Sequence, residues 1–171
     1  MPIKNKLIHY FSNIFYIHFI YIKNMFIKPF DKELHNKYDE PAKDFVKNYY
    51  HEQGIKAVDN LNKYDVDLIL YKDGIKIGYA EVEVCAGWSG AIYPFKTYHV
   101  PIRKSRFFNL DLPTYFFAVS NTFTQALYIN GDEILSCNTI EVPNKYVPKL
   151  EQFFDIELSK MTHNKLICMY K

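Results

Sequence analysis

Two acidic pairs lie close together in the chain: Asp65 and Asp67 in YDVDLILY (64–71), and Glu81 and Glu83 in IKIGYAEVEV (75–84). Side chains alternate along a strand, so in extended chain both members of a pair share a face. Lys72-Asp73-Gly74 joins the two segments, and Asp-Gly between β-rich runs is a strong hairpin signal. Folding about that turn sets Glu81 opposite Val66 and leaves Asp67 diagonal to Glu81. Like charges this close repel, and among Val66, Leu68, Leu70, Val82 and Val84 they are poorly hydrated. A hard cation such as Mg²⁺, or Mn²⁺ in its place, would hold the oxygens together. The competing reading is a solvated hairpin face whose acids are matched by Lys63, Lys72 and Lys76.

Both arginines of the chain, Arg103 and Arg106, fall in VPIRKSRFF (100–108), with Lys104 between them and Lys96 and His99 just before. At helical spacing the two arginines share a face. Guanidinium is the better bidentate phosphate ligand, so Arg103, Lys104 and Arg106 are candidate nucleic-acid contacts; an ordinary solvated helix face explains them equally. Trp88, the single tryptophan, lies in AGWSG (86–90). It is a candidate to stack on a base, with capping of the core as the other reading. His99 reads as a proton shuttle or as a hydrogen-bonded structural histidine. There is no G-x-x-x-x-G-K, G-x-G-x-x-G or nucleophile elbow, which argues against P-loop nucleotide hydrolysis and serine-hydrolase chemistry.

These residues need elements to place them. Ala42, Phe45, Val46, Tyr49 and Tyr50 follow helical spacing. Asp39 suits the N-cap of that helix, Pro41 its first turn and Gly54 its C-terminal stop. A short strand follows at about 55–59, then the hairpin strands at 64–71 and 75–84. A loop over 85–99 leads to a short helix over 100–108 opened by Pro101. The apolar run TYFFAV (114–119) suits a buried strand. Further strands are expected at 127–129 and 134–142, with a helix segment at 146–154. The fold class is α/β with one mixed sheet and additional C-terminal elements.

The order helix–strand–strand–strand–helix–strand, with D-V-D on one strand and E-V-E on the next, resembles the PD-(D/E)XK nuclease superfamily over about residues 38–120. The resemblance implies a restriction-endonuclease-like αβββαβ core and metal-dependent phosphodiester hydrolysis, of DNA ahead of RNA, with Mg²⁺ (or Mn²⁺) as cofactor. It implies Asp67 and Glu81 as metal ligands, with the backbone carbonyl of Val82, and Glu40 of the first helix as a further ligand. The family usually carries lysine where this chain has Glu83. That change implies either Glu83 as extra ligand or general base, or a site that binds without cutting. A nearby lysine, Lys96 or Lys104, could supply the missing charge. Asp67, Glu81, Glu83 and Lys96 are therefore the candidate catalytic set, and a catalytically inactive nuclease-fold binding protein is the alternative.

Composition excludes other classes. The net charge of +2 over 171 residues rules out a polybasic protein, so any nucleic-acid contact must be a local patch. Hydrophobic residues at 49% rule out a disordered chain. Cys85, Cys137 and Cys168 are odd in number and form no C-x-x-C, which fits a reducing, cytoplasmic compartment and neither a disulfide scaffold nor a zinc ribbon. The Lys-, Ile-, Asn-, Tyr- and Phe-rich composition fits an AT-rich genome, including a phage or large virus. Residues 1–30 stand apart from a single domain at 31–171. LIHYFSNIFYIHFIYI (7–22) is short for a spanning helix and broken by His9, Ser12, Asn13 and His18. Three readings stand: a membrane or interfacial anchor, a hydrophobic arm for the domain or a partner, and a misassigned start with Met25 as initiator. A homodimer would explain duplex cutting and the spare arm. A small interaction protein tethered by this segment is the remaining possibility.

Overall fold

The structure, a computed structural model, describes residues 32–62, 64–143 and 150–165. The segment 7–22 and Lys63 lie outside the described residues. The chain divides into two compact units, Met1–Phe30 with Glu141–Glu151, and Asp31–Ile140 with Gln152–Lys171. The site described below belongs to the second unit.

The second unit opens with a helix, α1 (Lys32–His51), whose Ala42, Phe45, Val46 and Tyr50 are buried as their spacing predicts. It begins earlier than expected, so Asp39 is not its cap and Pro41 lies inside it. Nothing from Lys32 to Asp39 breaks a helix, and Pro41 removes only one backbone donor from the ladder. The helix ends where Gly54 adopts φ +70° and the Ile55 N–H reaches back to the Tyr50 carbonyl at 3.0 Å, a glycine-dependent stop.

Six strands form a mixed sheet in the order β1–β2–β3–β5–β6–β9. They are β1 (Lys56–Asp59), β2 (Leu68–Lys72), β3 (Ile75–Cys85), β5 (Thr114–Ser120), β6 (Gln125–Asn130) and β9 (Thr162–Lys165). β3 and β5 run parallel; the other neighbours are antiparallel. The long connection between β3 and β5 carries β4 (Thr97–Pro101), a 3₁₀ turn (Ile102–Lys104) and a one-turn helix, α2 (Ser105–Phe108). A second sheet has the order β4–β8–β7, with β7 at Thr139–Pro143 and β8 at Leu150–Glu157. The fold is α/β with a mixed sheet and a small second sheet.

Two cores lie on the two faces of the large sheet. On one, α1 packs against Leu68, Leu70, Ala80, Phe117 and Val119, and Val82 and Val84 border the cluster. On the other, Tyr79, Phe116, Ala118 and Ile129 meet Phe107 and Phe108 of α2 and Val100 of β4. Alternation along β3 therefore puts Glu81 and Glu83 on the face of Tyr79 and Cys85, away from α1.

The hairpin differs from its expected register in one place. Asp73 (φ +52°) and Gly74 (φ +79°) form the turn, and Lys72 pairs with Ile75 as foreseen. Between Tyr71↔Lys76 and Leu70↔Gly78 a bulge adds Ile77, and an added residue moves all later pairings by one. Leu68 faces Ala80, so the register continues to Asp67 opposite Glu81, not Val66 opposite Glu81. Strand β2 also starts at Leu68, later than expected. Asn60, Asn62 and Asp65 side chains accept from the N–H groups of Asn62, Tyr64 and Val66 at 3.1, 3.2 and 2.9 Å, holding the backbone in turns.

Three further corrections concern the C-terminal part. Gly131–Leu135 is a short helix, α3, not the start of a strand, because Asn130 caps it through the Asp132 N–H. The expected helix at 146–154 is replaced at its described end by β8, where Phe154 and Ile156 are buried at a spacing of two. Residues 97–101 form a strand, so the expected helix over 100–108 begins only after Pro101, as a 3₁₀ turn. Among the described residues no helix is long and apolar enough to cross a membrane.

Candidate active site

Asp67 leaves the Asn60–Val66 turn just before β2, and its Oδ2 accepts the Val82 N–H at 2.8 Å. The bulge makes this bond possible by levelling Asp67 with Glu81. Asp67 Oδ1 lies 4.0 Å from Nζ of Lys43 on α1. Lys43 also reaches Asp39 at 2.6 Å and Glu40 at 3.9 Å. Burial raises the Asp67 carboxyl above the usual carboxylate range, opposed by the Val82 N–H and Lys43.

Glu81, in mid-β3, is buried. Its neighbour is Lys104, which the 3₁₀ turn brings back over the sheet: Nζ stands 3.1 Å from Glu81 Oε1 and 2.7 Å from Glu83 Oε2. Lys104 Nζ also lies over the Phe116 ring, 5.4 Å from its centroid. Glu81 Oε2 is buried without a hydrogen-bond partner. Burial pushes the Glu81 carboxyl up to about 7, with Lys104 pulling it down and Asp67 pushing it further up. Burial lowers Lys104, but Glu83 and Glu81 more than reverse this, and its net shift is upward. Lys104 therefore remains an ammonium at neutral pH.

Glu83 is the exposed end of the group. More than a third of its side chain meets solvent, and its Oε1 lies 3.5 Å from the Tyr98 hydroxyl. Tyr98 is fully enclosed, and burial together with Glu83 raises its phenol far above the usual range. Glu83 also borders an open cavity of about 750 Å³ formed with residues 84–86 and 93–99.

The structure thus gathers Asp67, Glu81, Glu83 and Lys104. Glu40 stands at the edge of the group, two-thirds exposed, linked to it only through Lys43. Lys96, expected among the catalytic residues, does not join them; it is exposed on the cavity wall, and the lysine at the carboxylates is Lys104. Arg103 and Arg106 are both exposed. Arg106 donates to the Tyr64 carbonyl at 3.2 Å and lies 4.6 Å from the Phe107 ring centroid. Trp88 is not available to a base, as its side chain is fully buried against Tyr93 and His163, with ring centroids 5.5 and 6.0 Å away. His99 is held by Asp155 at 3.1 Å. Lys43 and Tyr98 were missed from sequence; the only cue for Lys43 was its place one helical turn after Asp39 and Glu40.

Among the described residues no three His, Cys, Asp or Glu side chains are gathered to hold one ion. A protein cage of that kind is not what Mg²⁺ needs, since it keeps several waters beside one or two carboxylates. Asp67 and the orphaned Oε2 of Glu81 fit that smaller donor set. Comparison with protein-family models, with curated proteins and with solved structures returns no match.

Proposed function

We propose that this chain is a metal-dependent phosphodiesterase of nucleic acid, built on a restriction-endonuclease-like core in which Lys104 has taken over the lysine position that Glu83 vacates. The observation that carries this reading is the ammonium of Lys104 within 3.1 Å of both Glu81 and Glu83, beside the register-matched Asp67. The element order α1–β1–β2–β3, then β4, the 3₁₀ turn and α2 before a β5 parallel to β3, is the support for the core assignment, with β4 as an insertion in it.

Asp67, Glu81 and the Val82 carbonyl would hold Mg²⁺ or Mn²⁺, with Glu40 at the margin. The ion would supply Lewis-acid activation of the phosphate and of a bound water. Lys104 orients the attacking oxygen by donating to it and offsets negative charge on the phosphorane as it forms. Glu83, more than a third exposed, would take the proton from that water. Arg103, Arg106 and Lys96 would hold flanking phosphates.

A second reading has its own support: Lys104 already neutralises Glu81 and Glu83, as it would in a nuclease fold that binds nucleic acid without cutting it. The test is Mg²⁺- and Mn²⁺-dependent degradation of single- and double-stranded DNA and RNA by wild type, Glu81→Gln and Lys104→Met. Cleavage that both substitutions abolish supports the enzyme. Metal-independent binding with no cleavage replaces it with the binding module.

A further inference from the structure

Glu83 belongs to two features at once: it receives Lys104, and it borders the open cavity of about 750 Å³. That volume falls within the span of about 300–1,000 Å³ usual for ligand sites. The rest of the lining comes largely from 93–99 in the β3–β5 connection. Tyr93, half-buried, is fixed from behind by edge-on packing on Trp88 at 5.5 Å and by contact with Tyr98 at 5.6 Å. In front of it stands Phe95, 58% exposed, its ring 5.5 Å from that of Tyr93. Lys96 follows, exposed on the same wall.

One exposed ring needs no explanation. An exposed ring braced by a second, with a cation next in sequence, all opening onto a carboxylate whose charge a lysine offsets, has a specific complement. The ring faces suit a flat, weakly polar group, and the ammonium suits an anion one backbone step away. A nucleotide of an unpaired strand carries both. A duplex does not, because its base faces are already stacked on one another. The pairing of Glu83 with Lys104 at 2.7 Å lessens the repulsion a free carboxylate would offer a phosphate.

We infer that this cavity binds single-stranded nucleic acid, with a base against Phe95 and Tyr93 and a phosphate at Lys96, and leads the strand to Glu83. The inference names the substrate class of the site proposed above and rests on that reading for the cleavage step alone. The test is fluorescence anisotropy of the full chain with labelled oligothymidylate, oligouridylate and a duplex, in EDTA so that nothing is cut. Both single strands should bind more tightly than the duplex, and the stronger of the two identifies DNA or RNA. Phe95→Ala should weaken binding about five- to hundredfold, the size of one lost base stack, while Phe95→Tyr preserves it. Lys96→Ala should lower the salt slope by about one phosphate contact. A duplex preference, absence of binding, or unchanged affinity in Phe95→Ala overturns the inference. The nuclease reading is judged separately, by the loss of Mn²⁺-dependent cleavage in Glu81→Gln.

Discussion

Replacing Lys104 by Met is expected to produce a stability loss that grows with pH, and its size follows from the Glu81 environment. Methionine keeps an unbranched side chain of similar reach and removes the ammonium, which stands 3.1 Å from Glu81 and 5.4 Å from the Phe116 centroid. In the wild type the Glu81 carboxyl, ordinarily at 4.5, stands at about 7 when folded. A group raised on folding contributes stability at low pH and loses it as pH climbs from the unfolded value to the folded one. Without Lys104 the folded value climbs further, so above pH 7 the folded variant holds one proton more than folded wild type. The stability difference is near zero in its pH-dependent part below pH 6 and widens by about 1.4 kcal/mol for each pH unit between 7 and the variant's own folded value. For a chain of this size that is a melting-temperature gap that widens by roughly 3–6 °C for each of those pH units. Glu83, more than a third exposed, adds little because solvent screens it. Thermal unfolding followed by circular dichroism from pH 6 to 9 in EDTA reads the gap directly. Placing Lys104→Met on Glu81→Gln should abolish the pH dependence. A gap that stays constant with pH would mean that Lys104 and Glu81 are not electrostatically coupled, and the site argument would fail with it.

Other consequences are checked more simply. Gly78→Ala should cost about 1–3 kcal/mol in denaturant titration, because its Cβ would meet the Pro113 carbonyl oxygen at 2.7 Å, where the Tyr79 N–H also bonds at 2.9 Å. Gly74→Ala, at φ +79° but in open space, should cost only about 1 kcal/mol, the strain of the turn alone. The emission of Trp88 should be blue-shifted and poorly quenched by iodide, since the ring is fully buried; ready quenching by iodide would contradict its placement. Asp67→Asn should keep the fold and abolish any metal-dependent cleavage, as the amide still meets the Val82 N–H with its oxygen but no longer attracts a cation.

What could be read from the sequence was what local chemistry decides. The apolar spacing of Ala42, Phe45, Val46 and Tyr50, the Asp73-Gly74 turn and the unbroken run of β5 each carry a period or a turn residue, and the structure has all three. The C-terminal part was misread because its cues conflict over short spans. Asn130 capping outweighs the β-leaning Ile134 four residues on, and the alternation of Phe154 and Ile156 outweighs helical spacing. The bulge at Ile77 left no trace in the letters, since a bulge is a compromise between two strands and the packing on either face of them.

The site follows the same division. Acid types and their two-residue spacing located Asp67, Glu81 and Glu83, but their level across the hairpin depended on the bulge. The charge that answers them depended on a connection of more than twenty residues returning a 3₁₀ turn over β3. From sequence, Lys96 and Lys104 are equal candidates for the missing charge, one in the loop over 85–99 and one in the helix expected after it. What separates them is that Lys104 lies in a turn whose neighbours Val100, Phe107 and Phe108 are core residues, so their burial drags it inward. Lys96 precedes the strand and keeps its contact with water. A buried ammonium between two carboxylates costs desolvation that a stability-driven sequence would avoid with apolar residues. Its presence at the one point where the hairpin acids converge is the physical reason to look for chemistry there.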